Sequence, residues 1–427
     1  MVNEKYEDYI SQGISLMTEE NYSAAMECFQ KAIDINKKSL DAYIHLGNAQ
    51  ANLGMFDEAI SSFKNALVLS PSSGEVLYSI GNIYLLKGEN LKAIEYYNKA
   101  EDSGFHRADM YRLMSGMFLD AGDDTQSLRY ITKAINEEPL DGNLRLYKAR
   151  IYLASNRYNE ALEALDEMQK ILPDAFEVYD LRAQIYLALK EYDKALEVAE
   201  KGSERFPNDP NLTLSKLKVL VEMESDEAWE LISSMKSTGQ YDMVLKDAVI
   251  QESILYLRKH DAETTIGLLS KANETLNGDA DILYLILDVY GKSENYEGII
   301  RVSEDLINMN PGYFYESTAR YFHAHALDKL GRKEEAKKEY KKLTSSLRKL
   351  TINDPSFYEG YIYRLLSHTR IGEYDQALQL AEYIENLYPE RADSHTFRYF
   401  IYKEMGDEEK AQKEKTEAEK INPDIKL

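Results

Sequence analysis

The sequence predicts an all-α protein built as a solenoid of antiparallel helical hairpins, and three observations predict it. First, GNIYLLKGENLKAIEYYNKA at 81–100 returns as GNAQANLGMFDEAISSFKNA at 47–66 and as GISLMTEENYSAAMECFQKA at 13–32, each time at a spacing of 34 residues. A fixed period of this length marks a supersecondary unit that stacks on copies of itself. Second, with each unit numbered internally from 1, seven of the 9 prolines fall on position 32: Pro71, Pro139, Pro173, Pro207, Pro311, Pro389 and Pro423. Third, Gly54, Gly88, Gly122, Gly331, Gly372 and Gly406 all fall on position 15.

These positions assign the elements of a unit in order. Positions 1 to 14 show apolar spacing near 3.6, as an amphipathic helix requires, and glycine at 15 supplies a turn. A second amphipathic helix follows, stopped at position 32 because proline lacks an amide donor and blocks helical continuation. Position 8 stays small through six units (Gly13, Gly47, Gly81, Ser115, Ala149, Ala183), as does position 20 (Ala25, Ala59, Ala93, Ser127, Ala161, Ala195). Position 17 carries Tyr22, Phe56, Tyr158 and Tyr192, and position 24 carries Phe29, Phe63, Tyr97, Ile131 and Leu165. Small residues let the two helices of a hairpin approach closely, and the bulky ones fill the edges of that contact.

Tyr43, Leu46, Gly47, Ala59, Phe63, Ala66 and Pro71 reproduce almost whole the pattern of the tetratricopeptide repeat (TPR) proteins, which the chain resembles over nearly its full length. The resemblance implies an α-α superhelix with units starting at 6, 40, 74, 108, 142, 176, 210, 246, 280, 317, 358 and 392. The unit at 210 departs, with Thr213 at position 4, Leu217 at position 8 and Ala228 one residue early. Residues 1–209 therefore read as a block of six well-matched repeats, 210–245 as a degenerate junction, and 246–427 as a block of five looser repeats. Such a junction is expected to be the weakest coupling in the array, with Trp229 packed over its register slip. A second departure is KKLTSSLRKLTINDPSF at 341–357, read as a prolonged second helix before a loop closed by Pro355. The last helix, DEEKAQKEKTEAEK, is nearly all charged and places Lys415 where an apolar residue is usual, as suits a repeat with no neighbour on one side.

Composition narrows the function. A net charge of −23 disfavours a nucleic-acid backbone as partner. The single cysteine, Cys28, excludes an internal disulfide and a cysteine-rich zinc site, and fits a reducing compartment. No run reaches the length needed to cross a bilayer and the start MVNEKYEDYI has no apolar signal region, so no membrane association and a cytoplasmic location are expected. Gly291-Lys292-Ser293 lacks the earlier glycine of a phosphate-binding loop. His323 and His325 diverge by about 200° on a helix, which does not suit a shared metal. No HExxH, CxxC or GxSxG is present, so no enzyme activity, metal or cofactor is expected.

In proteins of this family the ligand usually lies in the concave groove of the first helices, at positions 2, 5, 9 and 12. Carried onto this chain, that implies the candidate residues Asn48, Tyr78, Asn82, Arg112, Arg150 and Gln184. Asn48 and Asn82 offer both donor and acceptor to an extended peptide backbone. The family's two-carboxylate clamp is not matched: its positions hold Ile44, Asn48, Ser79, Asp109 and Leu113, so acidic chaperone tails should bind poorly. Acidic residues recur at position 2, as in Asp41, Asp109 and Asp281, where they complement the helix dipole or form an acidic lip. The segment from Lys329 to Lys349 is basic and is read as a solvated face or an alternative binding surface. The expected role is a non-catalytic scaffold for a protein or peptide. A peptide-sensing regulator and an accessory protein of an enzyme complex are the alternatives, and the oligomeric state is not given by the sequence.

Overall fold

The computed structural model describes residues 2–354, 357–389, 391–425 and 427. Among them are 25 helices and no strand. The first six hairpins are α1 (Val2–Thr18) with α2 (Tyr22–Ile35), α3 (Leu40–Asn52) with α4 (Phe56–Leu69), α5 (Gly74–Leu86) with α6 (Asn90–Asp102), α7 (Ala108–Asp120) with α8 (Asp124–Glu137), α9 (Gly142–Ala154) with α10 (Tyr158–Ile171), and α11 (Glu177–Ala188) with α12 (Tyr192–Arg205). The seventh repeat has α13 (Pro210–Glu222), then α14 (Glu227–Thr238), and is followed by a short extra helix, α15 (Gln240–Met243). The last five are α16 (Leu245–Arg258) with α17 (Ala262–Thr275), α18 (Ala280–Lys292) with α19 (Tyr296–Asn308), α20 (Tyr313–Lys329) with α21 (Lys333–Asn353), α22 (Tyr358–Arg370) with α23 (Tyr374–Leu387), and α24 (Asp393–Met405) with α25 (Glu408–Ile421). The chain resolves into two compact units, Met1–Ser215 and Lys216–Leu427, divided within α13.

Every hairpin turns in the same way. Position 15 is left-handed in all twelve repeats, with φ between 53 and 79°, although only six of these residues are glycine; the others are Glu20, Asn156, Lys190, Glu224, His260 and Glu294. The next amide donates back to the carbonyl of position 11, from Asn21 to Leu16 at 2.8 Å through Asp407 to Tyr402 at 2.9 Å. This six-to-one bond closes the helix end by satisfying a carbonyl that has no partner within the helix. In eleven repeats the second helix then begins at position 17; α14, in the degenerate repeat, begins one residue later. The helices preceding the position-32 prolines end two or three residues before them, as α4 does at Leu69 and α19 at Asn308.

The small residues at position 8 are contact points. A methyl group built on Gly13, Gly47 or Gly81 would lie 2.4, 2.8 or 2.5 Å from the ring of Phe29, Phe63 or Tyr97, all closer than packed atoms allow. Those three rings are buried. The insertions lengthen helices or add one: α15 fills the segment after the degenerate repeat, α20 starts four residues before position 1, and α21 runs for 21 residues. Pro355 lies outside the described residues. Trp229 packs edge-on against Tyr256, centroids 4.9 Å apart, with Lys259 Nζ 4.3 Å from its ring centre. Lys415 in α25 is half-buried, and its ammonium donates to the backbone carbonyl of Leu427.

Candidate interaction surface

Positions 5, 9 and 12 of a first helix are spaced i, i+4, i+7 and share a face. In the Met1–Ser215 unit that face carries the six candidate residues, which the structure places in three situations. Tyr78 and Asn82 belong to one cluster on α5. The Tyr97 hydroxyl donates to Asn82 Oδ1 at 2.6 Å, and the Tyr97 and Phe105 rings flank Tyr78 at 5.8 and 5.6 Å. Tyr78 in turn donates to Asp109 at 2.9 Å, while the Arg107 guanidinium lies 5.3 Å from its ring centre. Burial, with the Asp109 carboxylate nearby, pushes the Tyr78 hydroxyl up. The Asn82 amide is thus already engaged as an acceptor by its own hairpin, and it also bonds to the Tyr78 hydroxyl.

Asn48, Arg112 and Arg150 are in the opposite situation. The Asn48 side chain is half-buried and makes no hydrogen bond among the described residues; only its backbone carbonyl is used, by Asn52 at 2.9 Å. Arg112 and Arg150 are exposed and neither has a carboxylate partner among the described residues. Arg112 acts electrostatically on Tyr147, whose hydroxyl lies 3.0 Å from where a Cβ on Gly116 would stand. Glycine at position 9 of that repeat therefore makes room for the tyrosine of the next. Gln184 is in a third situation, donating to Asp180 at 3.0 Å, while Ser215 donates to the same carboxylate.

The acids at position 2 have a role that composition alone did not separate from capping. Asp109 accepts from Tyr78, Asp247 from Lys218, Asp281 from Lys246 and Asp393 from Tyr358, each donor lying in the preceding repeat. They therefore tie neighbouring repeats together as well as lying in the first turn of a helix. For Asp109, burial opposes ionisation, but the Arg107 and Tyr78 hydrogen bonds prevail and lower its carboxyl. Arg332, just before α21, pairs with Glu335, and Lys342 on α21 with Glu339, both at 2.7 Å. Lys333, Lys337, Lys338, Lys341, Arg348 and Lys349 are exposed, with no ion pair among the described residues.

Nothing among the described residues groups three or more His, Cys, Asp or Glu side chains for a metal ion. None of the described helices is long and apolar enough to cross a membrane.

A repeated hairpin with small residues pressed against rings, one left-handed turn residue and one proline position defines an α-solenoid. Tetratricopeptide repeat models match residues 44–106, 118–185, 176–219 and 317–346, and a TPR repeat model matches residues 15–54. The chain belongs to the tetratricopeptide repeat family. It is 26% identical over 164 residues to TPR repeat-containing protein MJ1428 of Methanocaldococcus jannaschii, a match covering 38% of this chain and 29% of that protein. It is 31% identical over 97 residues to the cell division cycle protein 27 homolog of Caenorhabditis elegans, covering 23% of this chain and 12% of the relative. The matches thus cover less than a third of the length of either relative. Among solved structures, YrrB, described as a TPR protein with an unusual peptide-binding site, aligns at 22% identity with a TM-score of 0.39, covering 45% of this chain and 98% of YrrB.

Proposed function

We propose that the chain is a non-catalytic scaffold that holds an extended segment of a partner protein along the first-helix face of residues 40–189. The observation that carries this reading is the state of Arg112 and Arg150. In a chain of net charge −23, both are exposed at positions of that face, with no carboxylate partner among the described residues. Asn48, with its carboxamide unengaged, lies earlier on the same face and can donate and accept along a peptide backbone whatever its sequence. An acidic group further along the segment then meets the two guanidinium groups, which favour bidentate pairing with carboxylates.

Affinity capture of a partner, followed by titration of peptides from it, tests the reading. Asn48→Ala should weaken every bound segment by about 0.5–1.5 kcal/mol for each hydrogen bond lost. Arg112→Ala and Arg150→Ala should weaken acidic segments and leave neutral ones unchanged. Asn82→Ala is a poor probe, because it also removes the acceptor of the buried Tyr97 hydroxyl. A captured partner whose affinity is untouched by the Asn48, Arg112 and Arg150 changes places the binding surface elsewhere.

A further inference from the structure

Position 7 of the first helix is apolar in the second to fourth repeats, as Leu46, Ile80 and Met114, and charged in several later ones. In four of the later repeats the polar or charged side chain there meets a partner on the second helix of the preceding repeat, whereas Lys148, at the same position, has no ion pair among the described residues. Arg182 donates to Asp166, Glu252 accepts from Lys236 at 2.7 Å, and His323 lies 3.4 Å from Glu304. Arg398 is held most completely, with Nη1 on Glu385 at 2.8 Å and Nε on Glu414 at 3.0 Å, and its side chain is only 13% exposed. A guanidinium withdrawn from water needs such partners, since the desolvation penalty is otherwise unopposed.

Arg364 has the same position one repeat earlier and lacks them. Glu385 and Glu414 stand at positions 28 and 23 of their repeats; the residues that correspond for Arg364 are Thr344 and Leu380. Both line a pocket of about 770 Å³ formed by α21, α22 and α23, and no carboxylate is among its described lining residues. Among the described residues Arg364 makes one hydrogen bond, from Nη1 to Thr351 Oγ1 at 2.9 Å, and its buried Nε has no partner. Arg348 lines the same pocket, without an ion pair among the described residues, and adds a second cation. His368 lines it too, with Nδ1 2.7 Å from Glu373, a carboxylate outside the lining. Burial, followed by the Arg348 charge, holds the Arg364 guanidinium below its usual range. Burial acts against Arg398 as well, but there the Glu385 and Glu414 hydrogen bonds prevail and raise it.

The geometry points to an oxyanion site at this pocket, a carboxylate or phosphate held between the Arg348 and Arg364 guanidinium groups. Guanidinium forks match such oxyanions bidentately, and the pocket volume lies in the range of small-ligand sites. The site lies wholly within Lys216–Leu427 and does not depend on the interaction face of residues 40–189. Two sources supply the anion: a side chain of a bound protein, or a free small anion.

Thermal denaturation of the full chain tests this in sodium phosphate and in an N-acetylated tetraglutamate peptide, each against sodium chloride at matched ionic strength. At least one probe should give a saturable rise in Tm, since a ligand that binds only the folded state stabilises it by mass action. Response to phosphate alone identifies a free or phosphoryl anion as the source; response to the peptide alone identifies a carboxylate side chain. Thr344→Glu supplies the group that Glu385 gives to Arg398, so it should raise Tm in chloride and abolish the response. Arg348→Gln, at an exposed position, should weaken the response about tenfold, equivalent to about 1.4 kcal/mol, while Lys201→Gln, an exposed change in the Met1–Ser215 unit, leaves it intact. A wild-type chain that responds to neither probe overturns the proposal, and so does a response that survives both Thr344→Glu and Arg348→Gln.

Discussion

In the repeats beginning at 6, 40 and 74 the first helix brings glycine against a ring of the second, whereas in those beginning at 280 and 358 the sizes are exchanged. Gly81 faces Tyr97, and a methyl group on it would lie 2.5 Å from that ring. At the same two positions, 8 and 24, the later repeats hold Leu287 with Ser303 and Leu365 with Ala381, all four buried. The repeat at 317 returns to the first order, with Ala324 and Tyr340 both buried. What persists across the two regions is the volume shared by the pair, not the residue at either position, as expected where interiors are close-packed and each methylene is felt.

Emptying or inverting one of these contacts should have the largest effect. Tyr97→Ala removes a fully buried ring and leaves a cavity, for an expected loss of about 3–5 kcal/mol in urea denaturation followed by far-UV circular dichroism. Gly81→Leu alone should also destabilise, by overpacking. The double change Gly81→Leu with Tyr97→Ala recreates the order seen at Leu365 and Ala381, so it should be more stable than the two losses summed, by a coupling of about 0.5–3 kcal/mol. Strict additivity would break the comparison.

A smaller effect is expected in the other region. Ala381→Leu places a second large side chain beside the buried Leu365 and should cost about 1–3 kcal/mol in the same assay. Combining it with Leu365→Ala should recover part of that loss, and failure to do so would mean that the reversed order is not interchangeable with the first. The smallest effect concerns a feature common to both regions. Glu294 holds a left-handed φ of 53°, which is unfavourable for any residue with a Cβ, so Glu294→Gly should stabilise by about 0.5–1 kcal/mol.

The hairpins, their period and their stops were legible because each is marked by a residue type that does one thing. Proline ends a helix and glycine permits a turn or a close approach. The left-handed joints at Glu20, Lys190 and His260 carry no such mark; their conformation is imposed by the helices they connect. Asn82 looked as open to a ligand as Asn48, because the engagement of its carbonyl depends on how far the Tyr97 hydroxyl reaches from the partner helix. Arg364 was least legible of all. Its singularity is a missing acid at a position 20 residues away in the preceding repeat, and that becomes visible only when Arg398 shows which groups belong around it. The short helix α15 and the early start of α20 lie where the period is interrupted, so the repeat pattern had nothing to say about them.

The identical joint in every repeat has a consequence for how such a chain can change its length. Because position 15 is left-handed and position 16 bonds back to position 11 in all twelve repeats, the joint is the same throughout, with the first helix ending at position 13 and the second beginning at position 17 in eleven repeats each. An unequal exchange between two copies of the coding sequence, cut at equal internal positions, would therefore create a turn that already exists elsewhere in the chain. Whole 34-residue blocks can be gained or lost in this way among the regular repeats, while an exchange that drops or doubles the extra residues of the repeats at 210, 280 or 317 changes the phase of everything after it. The pocket lined by Arg348 and Arg364 uses the longest of those irregular repeats together with its successor, so it is the part of the array least able to be copied by such an exchange.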